Sequence, residues 1–115
     1  MTDTSSASER ITQEVTAWPG IQAGPGRRGE LAFKLDGREI GHLHGNHSAH
    51  FFFSPQVWDE LRAQGRIAPH PVFPDKRGPA ARRIDSGADV DDVIGLMRLN
   101  YDRLVMRQGS PVQAA

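Results

Sequence analysis

The chain has 115 residues, with 14 basic and 14 acidic side chains, no formal net charge and no cysteine. That composition excludes disulfides, thiolate-bound zinc, iron–sulfur clusters and thiol catalysis. It also excludes a whole-molecule field that would draw in nucleic acid or an anionic membrane.

The length suits one domain, expected at residues 8–108 between a Thr/Ser-rich tail at 1–7 and a small, polar tail at 109–115. No basic flank precedes an apolar run, and no segment approaches membrane-spanning length. The expected location is therefore cytoplasmic.

Ser6-x-x-Glu9 has capping-box spacing, and Ile11, Val15 and Trp18 follow on one helical face. The pattern predicts a helix from about Ala7 to Ala17, stopped by Pro19-Gly20, with a loop over Gly24 to Gly29. Asp36-Gly37 marks a two-residue hairpin turn between strands predicted at Glu30–Leu35 and Arg38–His44. Pairing across that turn sets Leu35 opposite Arg38, Lys34 opposite Glu39, Phe33 opposite Ile40 and Leu31 opposite His42. In that register His42 and His44 share the core face with Leu31, Phe33, Leu35 and Ile40, while Glu39 points the other way.

Ala49 to Phe53 reads as a third strand, and its three phenylalanines predict burial on both faces. Ser54-Pro55 starts a second helix that ends at Gly65. Ala68 to Pro74 contains three prolines and reads as irregular. Ala81 to Ile84 is a candidate edge strand. Asp89 opens the last helix, whose stripe is Val90, Val93, Ile94, Met97, Tyr101, Leu104 and Val105. The order α-β-β-β-α-β-α predicts an α+β fold, a small and mostly antiparallel sheet covered on one face by helices.

Four of the five histidines fall within nine residues: His42, His44, His47 and His50. His42 and His44 are two apart on a strand, so their Cβ atoms lie about 6.5–7 Å apart on one side. Such a pair can converge on a metal ion or an anion, and the rigid Pro69-His70-Pro71 could add a third ring. His42, His44 and His70 are thus the candidate ligand-binding residues. As metal ligands they would form a zinc set with one open position. The plainer alternative gives them only structural hydrogen bonds. His47 and His50 read as surface histidines.

Gly24-Pro25-Gly26-Arg27-Arg28-Gly29 matches G-x-G-x-x-G by letter, but no strand is predicted before it and no helix after it, so a dinucleotide site is rejected. Arg27 and Arg28, with Arg82, remain candidates to supply charge to an anion. The basic pairs at 27–28, 76–77 and 82–83 leave open a nucleic-acid or protein interaction module, which the neutral chain argues against. No Ser-His-Asp elbow, P-loop or His-Glu-x-x-His occurs. The reading reached is a pocket for a small polar or anionic molecule with no cofactor required. A zinc-dependent, hydrolase-type enzyme on the same histidines is the alternative.

Glu39-Ile40-Gly41-His42-Leu43-His44-Gly45, Gly65-Arg66-Ile67-Ala68-Pro69-His70-Pro71 and Ile94-x-Leu96-Met97-Arg98-Leu99-x-Tyr101 together resemble the luciferase domain family of small bacterial and fungal proteins. The resemblance covers about Trp18 to Arg103. It places His42, His44, Gly45 and His70 on the family's most recognisable positions. The name implies neither light emission nor a flavin barrel, for which the chain is too short. Where the family pattern has Gly-Trp before the last strand, this chain has Gly78-Pro79. More distantly, the element order is similar to the MmcQ/YjbR-like double-wing proteins, a likeness that would imply DNA binding.

Overall fold

The computed structural model describes residues 5–113, with side chains as far as 107. Helix α1 (Ala7–Val15) opens with a complete capping box: the Ser6 hydroxyl accepts from the Glu9 amide, and the Glu9 carboxylate accepts from the Ser6 amide, both at 3.1 Å. Strands β1 (Ile21–Pro25), β2 (Leu31–Leu35), β3 (Arg38–His44) and β4 (Ser48–Phe52) follow. Helix α2 (Pro55–Ala63) starts at its Ser54 cap with proline in the first turn. Strands β5 (Ala68–Pro69) and β6 (Pro79–Arg83) lead to α3 (Gly87–Gln113), where the Ser86 hydroxyl accepts from the Asp89 amide. The tail residues 1–4 and 114–115 lie outside the described residues.

The six strands form one antiparallel sheet in the order β1-β2-β3-β4-β6-β5. The α+β class and the predicted elements are present, with two strands added. β1 occupies an edge that the reading left as chain between a helix and a loop. β5 shows that the proline-rich segment does pair, for two residues, at the opposite edge. Pro69 is tolerated there because an outer strand needs no second ladder.

Helices α1 and α3 supply the core of one face. Ile11, Val15, Phe33, Ile40, Val93, Leu96 and Met97 have no exposed surface. Tyr101 belongs to this core, its hydroxyl donating to the Pro19 carbonyl at 2.7 Å. The predicted burial of β4 on both faces is corrected. Phe51 and Phe53 are buried, but Phe52 is 70% exposed because no helix covers its side of the sheet. Among the described residues, no helix is long and apolar enough to cross a membrane.

The β2–β3 hairpin turns through Asp36 and Gly37, both at positive φ (52° and 81°), as a type I′ turn requires. Lys34 opposite Glu39 and Leu35 opposite Arg38 follow the predicted register; the rest does not. Phe33 faces Gly41, Ala32 faces His42 and Leu31 faces Leu43, with a bulge opposite Phe33/Lys34 that makes Ile40 the extra residue.

The bulge sends two consecutive residues toward the helices. Ile40 is fully buried, and a Cβ on Gly41 would lie 2.6 Å from the Met97 sulfur and 2.9 Å from the Phe51 ring. Every residue beyond it is inverted relative to the simple alternation. His42 and His44 therefore lie on the open face, and Glu39 joins them.

Asn100 of α3 holds this irregularity in place. It is 7% exposed, and its side-chain amide donates to the carbonyls of Ile40 (3.1 Å) and Phe52 (3.3 Å), beyond the point where the β3–β4 ladder ends at His42 opposite His50.

Candidate functional site

The open face carries a histidine cluster assembled across strands. β3 contributes His42 and His44, and the antiparallel pairing sets His50 of β4 directly opposite His42. One nitrogen from each of these three rings lies within 4.8 Å of the others. The ring centroids are 4.9 Å apart for His42 and His44, 5.3 Å for His42 and His50, and 4.5 Å for His44 and His50. His70 packs on the far side of His50 at 4.3 Å, and its Nδ1 accepts from the Val72 amide at 3.1 Å. The converging set is therefore His42, His44 and His50, with His70 as a neighbour outside it.

Glu39 orients the cluster. Its Oε2 lies 2.8 Å from His42 Nδ1. A carboxylate can only accept, so Nδ1 carries the proton and donates. In a neutral His42 ring the lone pair is then on Nε2, which faces His44 Nε2 at 3.1 Å. A carboxylate behind one imidazole nitrogen with the other turned inward is the arrangement found behind metal-ligating histidines. Glu39 pairs with Lys34 in the strand register, but its carboxylate goes to His42.

Burial and the neighbouring rings disfavour the charged forms of His50 and His70. Burial is the main cause that lowers the His50 pKa to about 4. The neighbouring rings of His70, His44 and His42 add to the fall, while Glu39 opposes it. His70 is lowered too, by burial and then by His42 and His44. His50 Nδ1 is buried with no hydrogen-bond partner among the described residues. Glu30, whose carboxylate accepts from the Arg28 amide, also senses the cluster: backbone hydrogen bonds lower its pKa first, and His42 and His44 lower it further.

The cluster borders a cleft of about 600 Å³ whose walls include Glu39, His42, His50, His70, Phe52 and Phe73. Phe52 and Phe73 are 70% and 43% exposed. A Cβ on Gly78, at φ 150°, would lie 3.2 Å from the Phe52 ring. Pro79 lines the same cleft and accepts the Trp58 indole N–H through its carbonyl at 3.0 Å. Lys76 sits 5.0 Å over the Phe73 ring, and Arg77 pairs with Asp59.

Arg27, Arg28 and Arg82, the arginines proposed from sequence to face an anion, do not line this cleft. Arg27 and Arg28 are exposed in the β1–β2 turn. Arg82 points to the helix side of β6, where it bridges Asp89 (2.6 Å) and Asp92 (3.5 Å) and ties the sheet to the start of α3. Alternation along β6 dictates this, since Ala81 is the residue opposite His50. His47 is exposed, as expected. His50 is not a surface histidine.

Sequence reading missed Glu39, His50 and Asn100. The available signal for Glu39 was the Ile-Gly pair separating it from His42, two small or apolar residues in a row where alternation demands one. His50 is joined to the others only through strand pairing.

A family model described as Luciferase domain matches residues 37–100, a span that holds the three converging histidines, Glu39, His70 and Asn100. No curated protein and no solved structure matches the chain. The double-wing likeness thus rests on element order alone.

Proposed function

The chain belongs to the luciferase domain family, and we propose that it is a metal-dependent small-molecule-binding protein whose ion is held by His42, His44 and His50. The observation that carries this reading is the approach of three imidazole nitrogens to within 4.8 Å of one another, with Glu39 buttressing His42. Three imidazole nitrogens suit zinc and the neighbouring divalent transition metals. An imidazolium pocket for anions is the weaker account, because burial lowers the His50 pKa to about 4 and disfavours a charged ring there.

An ion held from the sheet side by three ligands keeps a position open toward the cleft. That position accepts a ligand oxygen, or a water made more acidic by the metal. Phe52 and Phe73 offer apolar surface beside it, so the ligand combines a polar, metal-seeking group with an apolar body.

Cobalt titration tests this directly. Protein expressed without a polyhistidine tag and stripped with chelator binds one Co²⁺ per chain and develops the visible absorption of a low-symmetry nitrogen site. His44→Ala, on an exposed ring, and His50→Ala both abolish that signal. Glu39→Gln weakens affinity by roughly 10–100-fold, the usual cost of losing a carboxylate behind a ligating histidine. Wild-type protein that takes up no cobalt or zinc at stoichiometric concentration refutes the reading.

A further inference from the structure

The molecule holds a second recess beside the histidine cleft, about 340 Å³ in volume, and its walls include Arg38, Arg103, Arg107, Ser54, Asn100 and Phe52. Arg38 opens β3 immediately after the I′ turn. Arg103 and Arg107 are one helical turn apart on α3, so they project from the same face. Like charges at this spacing repel and lower helix stability. A third guanidinium beside them makes that worse.

Most of the other arginines are neutralised, with Arg27, Arg28 and Arg62 the exceptions among the described residues. Arg10, Arg66, Arg77, Arg82, Arg83 and Arg98 each pair with an aspartate. Arg38, Arg103 and Arg107 have no carboxylate partner among the described residues. Glu39, the one acid in the wall of the recess, is already committed to His42. Three guanidiniums around a cavity whose acid, Glu39, is turned to His42 form a receptor for an oxyanion, which accepts their forked hydrogen bonds.

We propose that this recess binds an oxyanion, phosphate or carboxylate, carried by the same ligand that reaches the histidine cleft. Glu39 and Phe52 line both cavities, so the two share a wall. A ligand with its anionic group among the arginines would lie across the exposed Phe52 ring and present its other end to His42. The second half of this proposal rests on the metal reading above; the oxyanion site itself does not.

The test uses full-length, chelator-stripped protein titrated calorimetrically with inorganic phosphate and separately with acetate, at constant ionic strength and with sodium chloride as control. Saturable binding of phosphate, or of acetate, is expected, and whichever binds more tightly identifies the anionic group. Arg103→Gln and Arg107→Gln each weaken it about tenfold, the loss of one charge-assisted contact. Arg62→Gln, outside the recess, leaves it unchanged, and far-ultraviolet circular dichroism confirms that every variant is folded. The site is overturned if neither anion saturates, or if the Arg38/Arg103/Arg107 triple glutamine variant binds like wild type. It is overturned equally if His44→Ala rather than the arginine variants removes binding, since the anion would then sit on the imidazoles. Cobalt uptake is scored separately: oxyanion binding without metal binding refutes only the metal.

Discussion

Replacing Asn100 with leucine tests whether the bulge that builds the site is held from the core. The Asn100 amide donates to two carbonyls, those of Ile40 at 3.1 Å and Phe52 at 3.3 Å. Both partners are acceptors, so the nitrogen must face them, and no alternative orientation of the amide satisfies the pair. Leucine keeps a similar volume and removes both donors. A buried acceptor left bare costs about 1–3 kcal/mol. The Ile40 carbonyl bears that in full, while the Phe52 carbonyl lies nearer the open recess and is partly rehydrated. The sum is about 2–4 kcal/mol, or roughly 10–25 °C in melting temperature for a domain of this size.

Urea unfolding followed by circular dichroism measures the first quantity, and calorimetry the second. Asn100→Asp is the sharper variant. Near neutral pH it sets a charge against two carbonyl oxygens and destabilises more than leucine does, and it recovers on acidification as the carboxyl gains a proton to donate. A leucine variant within about 0.5 kcal/mol of wild type, the range of a bland surface change, would refute the reasoning.

The depressed His50 pKa predicts a pH dependence. The folded protein binds this proton less tightly than the unfolded chain, so the residue's contribution is complete above about pH 6.5 and drains as pH falls through about 4. After allowance for the partly open, solvent-screened site, the loss is about 1–2 kcal/mol. The stability of wild type relative to His50→Gln, measured on stripped protein, should fall by that amount on acidification; a difference constant with pH contradicts the assignment. Gly41→Ala places a methyl 2.6 Å from the Met97 sulfur and 2.9 Å from the Phe51 ring, at an expected cost of about 1–3 kcal/mol. Most of that penalty disappears in a Met97→Ala background, and an equal penalty in both backgrounds would locate the conflict elsewhere.

What could be read from the sequence was local. Ser6-x-x-Glu9, Ser54-Pro55 and Asp36-Gly37 each act through hydrogen bonds or backbone angles within four residues, and all three operate as expected. The edge strands were hidden because β1 is mostly exposed and ends in Gly24-Pro25, while β5 is two residues long and includes a proline. The face of the histidines was misassigned for a different reason. Period-two alternation carries every assignment forward from the turn, and one inserted residue reverses all that follow. Ile40 is that residue. His50 lies eight positions from His42 with a loop between, and only the β3–β4 register makes them neighbours.

The correction changes what the histidines mean. Rings on the covered face would be explained by packing alone, provided each found a carbonyl. On the open face, folding asks for little: threonine or valine at 42, 44 and 50 would satisfy a solvent-facing sheet better. The chain instead crowds three imidazoles together, places a fourth against His50, and buries the His50 Nδ1 without a partner among the described residues. An unpartnered buried nitrogen costs about 1–3 kcal/mol, and the fold gains nothing visible in return. Local sacrifice of stability of this kind is the signature of a group kept for binding. The core side of the same bulge, with Ile40 buried and Asn100 bonded to its carbonyl, is the part that serves folding. One inserted residue therefore separates the two demands: the helix-facing pair anchors the strand, and the residues flanking it, Glu39 and His42, are delivered together to the opposite side.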